Sequence, residues 1–175
     1  MKTDTLFYEL FQLYPLIFFE LIGESATLAD DYSFQSVELK QTAFRIDGVF
    51  LPKDRQGIAY FCEVQFQEDP QLYHRFLAEV FLFLRQFPHT HDWKGLLLYP
   101  SRRIRPGDSR FFQELFEWGR VREIGLDDWP GLEAGSLELG LVQLVVEPEA
   151  SAPDLARGLI ERASRDVGEA RLRQT

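Results

Sequence analysis

The segment from residue 35 to residue 67 constrains the fold most, because it alternates with period two on both sides of a polar turn. Val37, Leu39 and Gln41 fall on one side of an extended chain, and Glu38, Lys40 and Thr42 on the other. This first arm covers 35–51 and stops at Pro52. Lys53-Asp54-Arg55-Gln56-Gly57 is polar and ends in glycine, which predicts a hairpin turn. A second strand over 58–67 follows at once, and Asp69-Pro70 breaks it.

Helical patterns flank this hairpin. Over 4–22, Leu6, Leu10, Leu13 and Ile17 recur at intervals of three and four, with Asp4 as the N-cap. Pro15 starts or kinks a second helix, and Gly23 closes it. Residues 71–86 return to helical spacing through Leu72, Phe76, Val80 and Leu84. A short buried strand at 96–99 ends at Pro100, a helix is predicted over 108–118, and another strand over 121–126. The apolar run 137–146 has no decisive period, and 153–173 reads as an Arg- and Ala-rich helix. Such alternation predicts an α/β fold, a mixed sheet with helices on its faces. The 175 residues suit one domain: residues 1–150, with 151–175 as a helical extension. The chain holds 16 Phe and 6 Tyr, concentrated in its first half. Each can bury roughly 150–250 Å², so most of the core is expected there.

Net charge is −9. That opposes a general nucleic-acid coat protein, which needs clustered Lys and Arg. It permits an enzyme that touches nucleic acid through one local basic rim, and acidic groups are what Mg²⁺ requires. Cys62 is the single cysteine, so an intramolecular disulfide and a Cys-based zinc cluster are both excluded; packing is its expected role. Asp4, Glu9 and Glu20 interrupt the apolar N-terminus, which fits neither a signal peptide nor a membrane span. A cytoplasmic location without membrane contact is the default expectation, with a homodimer left open.

Asp47 lies in Arg45-Ile46-Asp47-Gly48-Val49, and Glu63 in Tyr60-Phe61-Cys62-Glu63-Val64-Gln65. Carboxylates among apolar residues are costly to desolvate without a partner or a metal. Glu63 and Gln65 share one face of a strand. A hairpin turning near Arg55 brings residues 47 and 63 about opposite each other, with Cβ atoms roughly 4.5–5.5 Å apart. Two like charges that close favour a shared proton or a divalent cation. Taken singly, each residue has an ordinary reading: Asp47 paired with Arg45 on an edge, Glu63 facing solvent. Their joint placement beside Gln65 favours a site. His89 and His91 lack a third ligand nearby and read as a polar loop. Arg102, Arg103, Arg105 and Arg110 could contact a nucleic-acid backbone or pair with local acids, and the C-terminal arginines alternate with acids as a solvated face.

The Asp, the polar turn and the Glu-x-Gln after an apolar strand resemble the core of the PD-(D/E)XK nuclease superfamily. More narrowly, the chain resembles the transposase-related, recombination-promoting (Rpn) nucleases and, within that neighbourhood, the DUF2887 family. The resemblance rests on Thr3-Asp4-Thr5-Leu6-Phe7, Phe18-Phe19-Glu20-Leu21, Lys40-Gln41-Thr42-Ala43-Phe44-Arg45-Ile46-Asp47, Glu63-Val64-Gln65-Phe66-Gln67 and Tyr73-His74-Arg75-Phe76, over about residues 1–145. It implies a restriction-endonuclease-like mixed sheet flanked by helices. It also implies that Asp47 and Glu63, with the Val64 carbonyl, ligate Mg²⁺ or Mn²⁺, and that Gln65 completes the catalytic set. Gln65 stands where many relatives have Lys; it can orient water but carries no charge. A further acid is implied from Asp4, Glu9, Glu20 or Glu38, and Tyr73 and Arg75 begin the helix where a cation meets a phosphate oxygen. The implied activity is metal-dependent DNA endonuclease; the alternative is a catalytically inactive nuclease-fold binding protein.

Overall fold

The structure is a computed structural model that describes residues 3–38, 45–54, 56–129 and 136–172. The side chains of 3–5, Glu38, Arg45, Asp47, Asp128 and 166–172 are outside that description, as are residues 40–44 of the resemblance and Arg55 of the turn. Helix α1 spans Thr3–Leu13 and α2 spans Leu16–Leu21, divided at Pro15 as the sequence predicts. Because α1 already includes Thr3, Asp4 lies in its first turn instead of capping it. After α2, Glu24 N–H donates to the Phe19 carbonyl (2.9 Å) and Gly23 N–H to the Glu20 carbonyl (3.0 Å). This closure requires a left-handed residue, and Gly23 has φ +75°.

The predicted first arm is two strands, β1 Tyr32–Glu38 and β2 Arg45–Pro52, paired antiparallel. Alternation continues unchanged through a reversal when no Gly or Pro marks it, so period two alone could not reveal the break. β3, Ile58–Val64, returns antiparallel to β2 as expected. Helix α3, Leu72–Gln86, then crosses over to β4, Asp92–Tyr99, which lies parallel to β3. β5, Val121–Gly125, is parallel to β4, giving the order β1-β2-β3-β4-β5 in one mixed sheet. Between β4 and β5 the helix predicted over 108–118 shrinks to a 3₁₀ turn at Arg110–Phe112 and α4, Gln113–Glu117. Asp108 Oδ1 accepts from Arg110 N–H, and this local turn competes with helix initiation.

The two faces of the sheet are packed differently. Phe50 and Tyr60 are cross-strand partners, as are Val49 and Phe61. Phe50 and Tyr60 point toward α1 and α2, where Phe50 stacks on Phe18 at 4.1 Å and meets Phe11, Phe19 and Phe34. Val49 and Phe61 point to the opposite face, with Phe76, Val80 and Phe83 of α3 and with Leu97 and Tyr99. The chain divides after Asp128 into two compact units. The second contains α5, Leu137–Val146, and α6, Ala152–Leu172. Leu159 of α6 sits against Gly140 of α5, where any β-carbon would meet it at 2.2 Å. The run 137–146 therefore groups with the terminal helix. No helix among the described residues is long and apolar enough to cross a membrane.

Phe50→Ala removes the ring on which this aromatic face converges. It is expected to cost about 3–5 kcal/mol, measured by urea unfolding. A loss below about 1 kcal/mol would show that the cluster is not packed as described.

Candidate functional site

Glu63 lies near the carboxyl end of β3, two residues after Phe61 and hence on the α3 face. Its side chain is 14% exposed. Beyond β3, Gln65 N–H donates to the Leu98 carbonyl (2.8 Å), so pairing with β4 continues past Glu63. The Gln65 amide donates to the Gln67 carbonyl (2.5 Å), and its Oε1 accepts from Arg75 Nη2 (3.4 Å).

Arg75, in the first turn of α3, gathers the surrounding acids. Its Nη1 meets Glu63 Oε1 at 2.7 Å and Glu79 Oε1 at 4.0 Å, and its Nη2 meets Asp69 Oδ2 at 3.3 Å. Burial works against the charged guanidinium, but Glu63, Glu79 and Asp69 more than compensate and raise its pKa. Asp69 also shapes the loop, since its Oδ1 accepts from Gln71 N–H (2.9 Å) and its carbonyl from Leu72 N–H (3.1 Å). β3 ends at Val64, short of the predicted 58–67, and the Asp69-Pro70 pair instead shapes the loop that leads into α3 and forms a wall of the site. Glu79 is 5% exposed, and sequence reasoning passed over it. Its signal was an acid on the apolar face of α3, four residues after Arg75.

Carrying the Val49–Phe61 register two residues on puts Asp47 at the position across from Glu63. Gly48 permits this approach: a β-carbon there would lie 2.8 Å from the Cys62 carbonyl oxygen. Cys62 faces the aromatic side and is buried; burial first, then the neighbouring Glu63, pushes its thiol pKa well up, which suits packing and not nucleophilic attack.

The structure separates Tyr73 from Arg75. The Tyr73 hydroxyl donates to Glu123 Oε1 (2.7 Å), where Tyr99 also donates (2.9 Å), and Arg105 reaches Oε2 at 3.5 Å. Burial and then Glu123 raise both phenol pKa values far above the usual range, so both remain donors. Glu63 and Glu123 are the register neighbours of Leu97 on its two sides, one carboxylate for each arm of α3. Glu20 is half-buried at the end of α2, Glu9 is exposed on α1, and Glu38 is the backbone register neighbour of Arg45 at the end of β1. His89 and His91 are exposed.

The Glu63 carboxylate and the Gln65 amide oxygen are donors of the kind a hard divalent cation takes, and Asp47 holds the register position across from Glu63. Among the described residues, no three His, Cys, Asp or Glu side chains form a ligand shell, and at Glu63 Oε1 the positive charge comes from Arg75.

Fold and site together define a mixed α/β protein whose Glu-x-Gln strand end faces an arginine of the crossover helix. The chain belongs to the DUF2887 family, described as a protein of unknown function, whose model matches residues 3–175. The match includes α5 and α6, beyond the stretch that carried the resemblance. No curated protein and no solved structure matches the chain.

Gly48→Ala should force β2 away from β3 and cost about 1–3 kcal/mol. In the parent protein, Cys62 should react with an aromatic disulfide reagent only on unfolding, whereas in the variant it should react faster under native conditions. Equal labelling rates would show that the strands tolerate a β-carbon there.

Proposed function

We propose that this chain is a metal-dependent DNA endonuclease of PD-(D/E)XK type, in the Rpn, transposase-like branch. The observation that carries this reading is Glu63-x-Gln65 at the carboxyl end of β3, with Asp47 across the hairpin and Arg75 held against both Glu63 and Gln65. Asp47, Glu63 and the Val64 carbonyl would hold Mg²⁺ or Mn²⁺. Such an ion lowers the pKa of a bound water and neutralises charge developing on the scissile phosphate.

The remaining roles fall to side chains. Gln65, braced on the Gln67 carbonyl, orients the attacking water through its amide. Arg75 supplies from α3 the positive charge that Gln65 lacks, and its planar fork suits a phosphate oxygen. Glu79 and Asp69 keep that guanidinium at the strand end while leaving it one-third exposed.

One observation favours a second reading. Arg75 lies 2.7 Å from Glu63, so at this carboxylate the counter-charge comes from the chain itself, as in a nuclease fold kept for binding alone.

Cleavage of supercoiled and linear DNA with Mg²⁺ and with Mn²⁺ separates the two. The nuclease reading expects cutting that needs the metal and falls by a factor of about 100 or more in Asp47→Ala and Glu63→Ala, the range seen when a transition-state-stabilising group is removed. Folded wild-type protein that cuts with neither ion supports the binding reading.

A further inference from the structure

The contacts of Arg75 are unequal. Its Nη1 makes a short bond to Glu63 Oε1 (2.7 Å) but stands 4.0 Å from Glu79 Oε1. Its Nη2 is shared between Asp69 at 3.3 Å and Gln65 at 3.4 Å. The contact with Glu79 is beyond hydrogen-bond reach and has room to shorten. Glu79 lies four residues after Arg75 on α3, so the two project side by side from the same helix. Passing Nη1 from Glu63 to Glu79 needs rotation within the Arg75 side chain only. That side chain is 34% exposed, against 14% for Glu63 and 7% for Glu79. The guanidinium is thus the solvent-facing member of the cluster, and the two carboxylates are its inner partners.

Glu63 Oε1 is an oxygen of the kind a hard divalent cation takes, and it is the atom that Arg75 holds most closely. Two positive charges about 4 Å apart repel each other strongly, so the guanidinium and an ion do not share this oxygen. Arg75 can leave it without being stranded, because Asp69, Gln65 and Glu79 remain around it. Partly buried charges are costly when a partner is removed outright, and an exchange of partners avoids that cost.

We infer that Arg75 is an exchangeable counter-ion for Glu63, an inference that rests on the metal-binding reading of this site. Without a divalent cation Arg75 neutralises Glu63; with one bound there, Arg75 closes on Glu79 and keeps Asp69. The guanidinium therefore competes with the ion for one carboxylate, and afterwards its fork remains at the strand end for a phosphate oxygen.

The test is Mn²⁺ binding to the full chain without DNA, read from the free-ion signal in electron paramagnetic resonance, so that cleavage plays no part. Arg75→Gln is expected to bind Mn²⁺ at least about tenfold tighter than the parent, and adding Glu63→Gln to abolish that gain. Glu79→Gln should weaken Mn²⁺ binding at least about threefold in the parent and much less beside Arg75→Gln. Through-space repulsion alone would make the two substitutions additive. Since Arg75→Gln can impair folding, the ¹⁵N-labelled parent gives a second reading: the Arg75 Nε–H resonance should shift as Mg²⁺ is titrated in. Affinity no tighter in Arg75→Gln, additive effects, or an Arg75 resonance that stays still while Mg²⁺ binds overturns the exchange. If metal-dependent cutting is seen in that case, the nuclease reading survives it. No ion uptake by the parent or the variant overturns the exchange, and absence of cutting as well overturns both.

Discussion

β3 is covered on both faces, by the aromatic cluster of α1 and α2 on one side and by α3 on the other, and a carboxylate near the end of such a strand needs a counter-charge. Arg75 meets that need at Glu63. Because the guanidinium is also drawn to Asp69 and Glu79, the same ion cluster fixes the loop after β3, the first turn of α3 and the orientation of Gln65. Removing one member would leave partly buried charge without compensation, which is more costly than never having placed it there.

Helix α3 serves two carboxylates at once. Glu63 and Glu123 flank Leu97 at one level of the parallel sheet, and Tyr73 and Arg75, two residues apart on the helix, divide them. The resulting environments differ in kind. Glu123 is held by two phenolic donors and one arginine, a saturated network that rigidifies the β4–β5 end. Glu63 is held by the partly exposed guanidinium of Arg75, a counter-charge that an incoming cation could replace. On the proposed reading, chemistry belongs to Glu63, and Glu123 anchors the β4–β5 connection through Arg105 and Tyr73.

Much of this architecture was legible because local physics sets it. Pro15 and Gly23 punctuate the opening helices through missing N–H and permitted φ. The polar stretch before Gly57 turns the hairpin, and the hairpin register follows from the alternation that hides Val49 and Phe61. Glu63 and Gln65 stood out because a carboxylate and an amide after Tyr60-Phe61-Cys62 have no packing reason to be there. Other features were not legible. The reversal between β1 and β2 carries no Gly or Pro and preserves the period. The run 137–146 has no decisive period; the structure makes it a helix capped by Ser136, with Gly140 packed against Leu159 of α6. Tyr73 and Arg75 looked like one feature because they are neighbours in sequence; on a helix, two positions apart point to different surroundings.

The sequence by itself determined the opening helices, the β2–β3 hairpin, the helix that follows it and the presence of Asp47, Glu63 and Gln65 on that hairpin, since each depends on contacts a few residues long. The tertiary structure alone decided which charges meet. Arg75 reaches Glu63 and Gln65, Glu79 is buried beneath them, and Tyr73 joins Tyr99 at Glu123 fifty residues away. The physical reason is that ion pairing in a half-buried site depends on distance and desolvation, and both are set by how α3 lies on the sheet rather than by spacing along the chain.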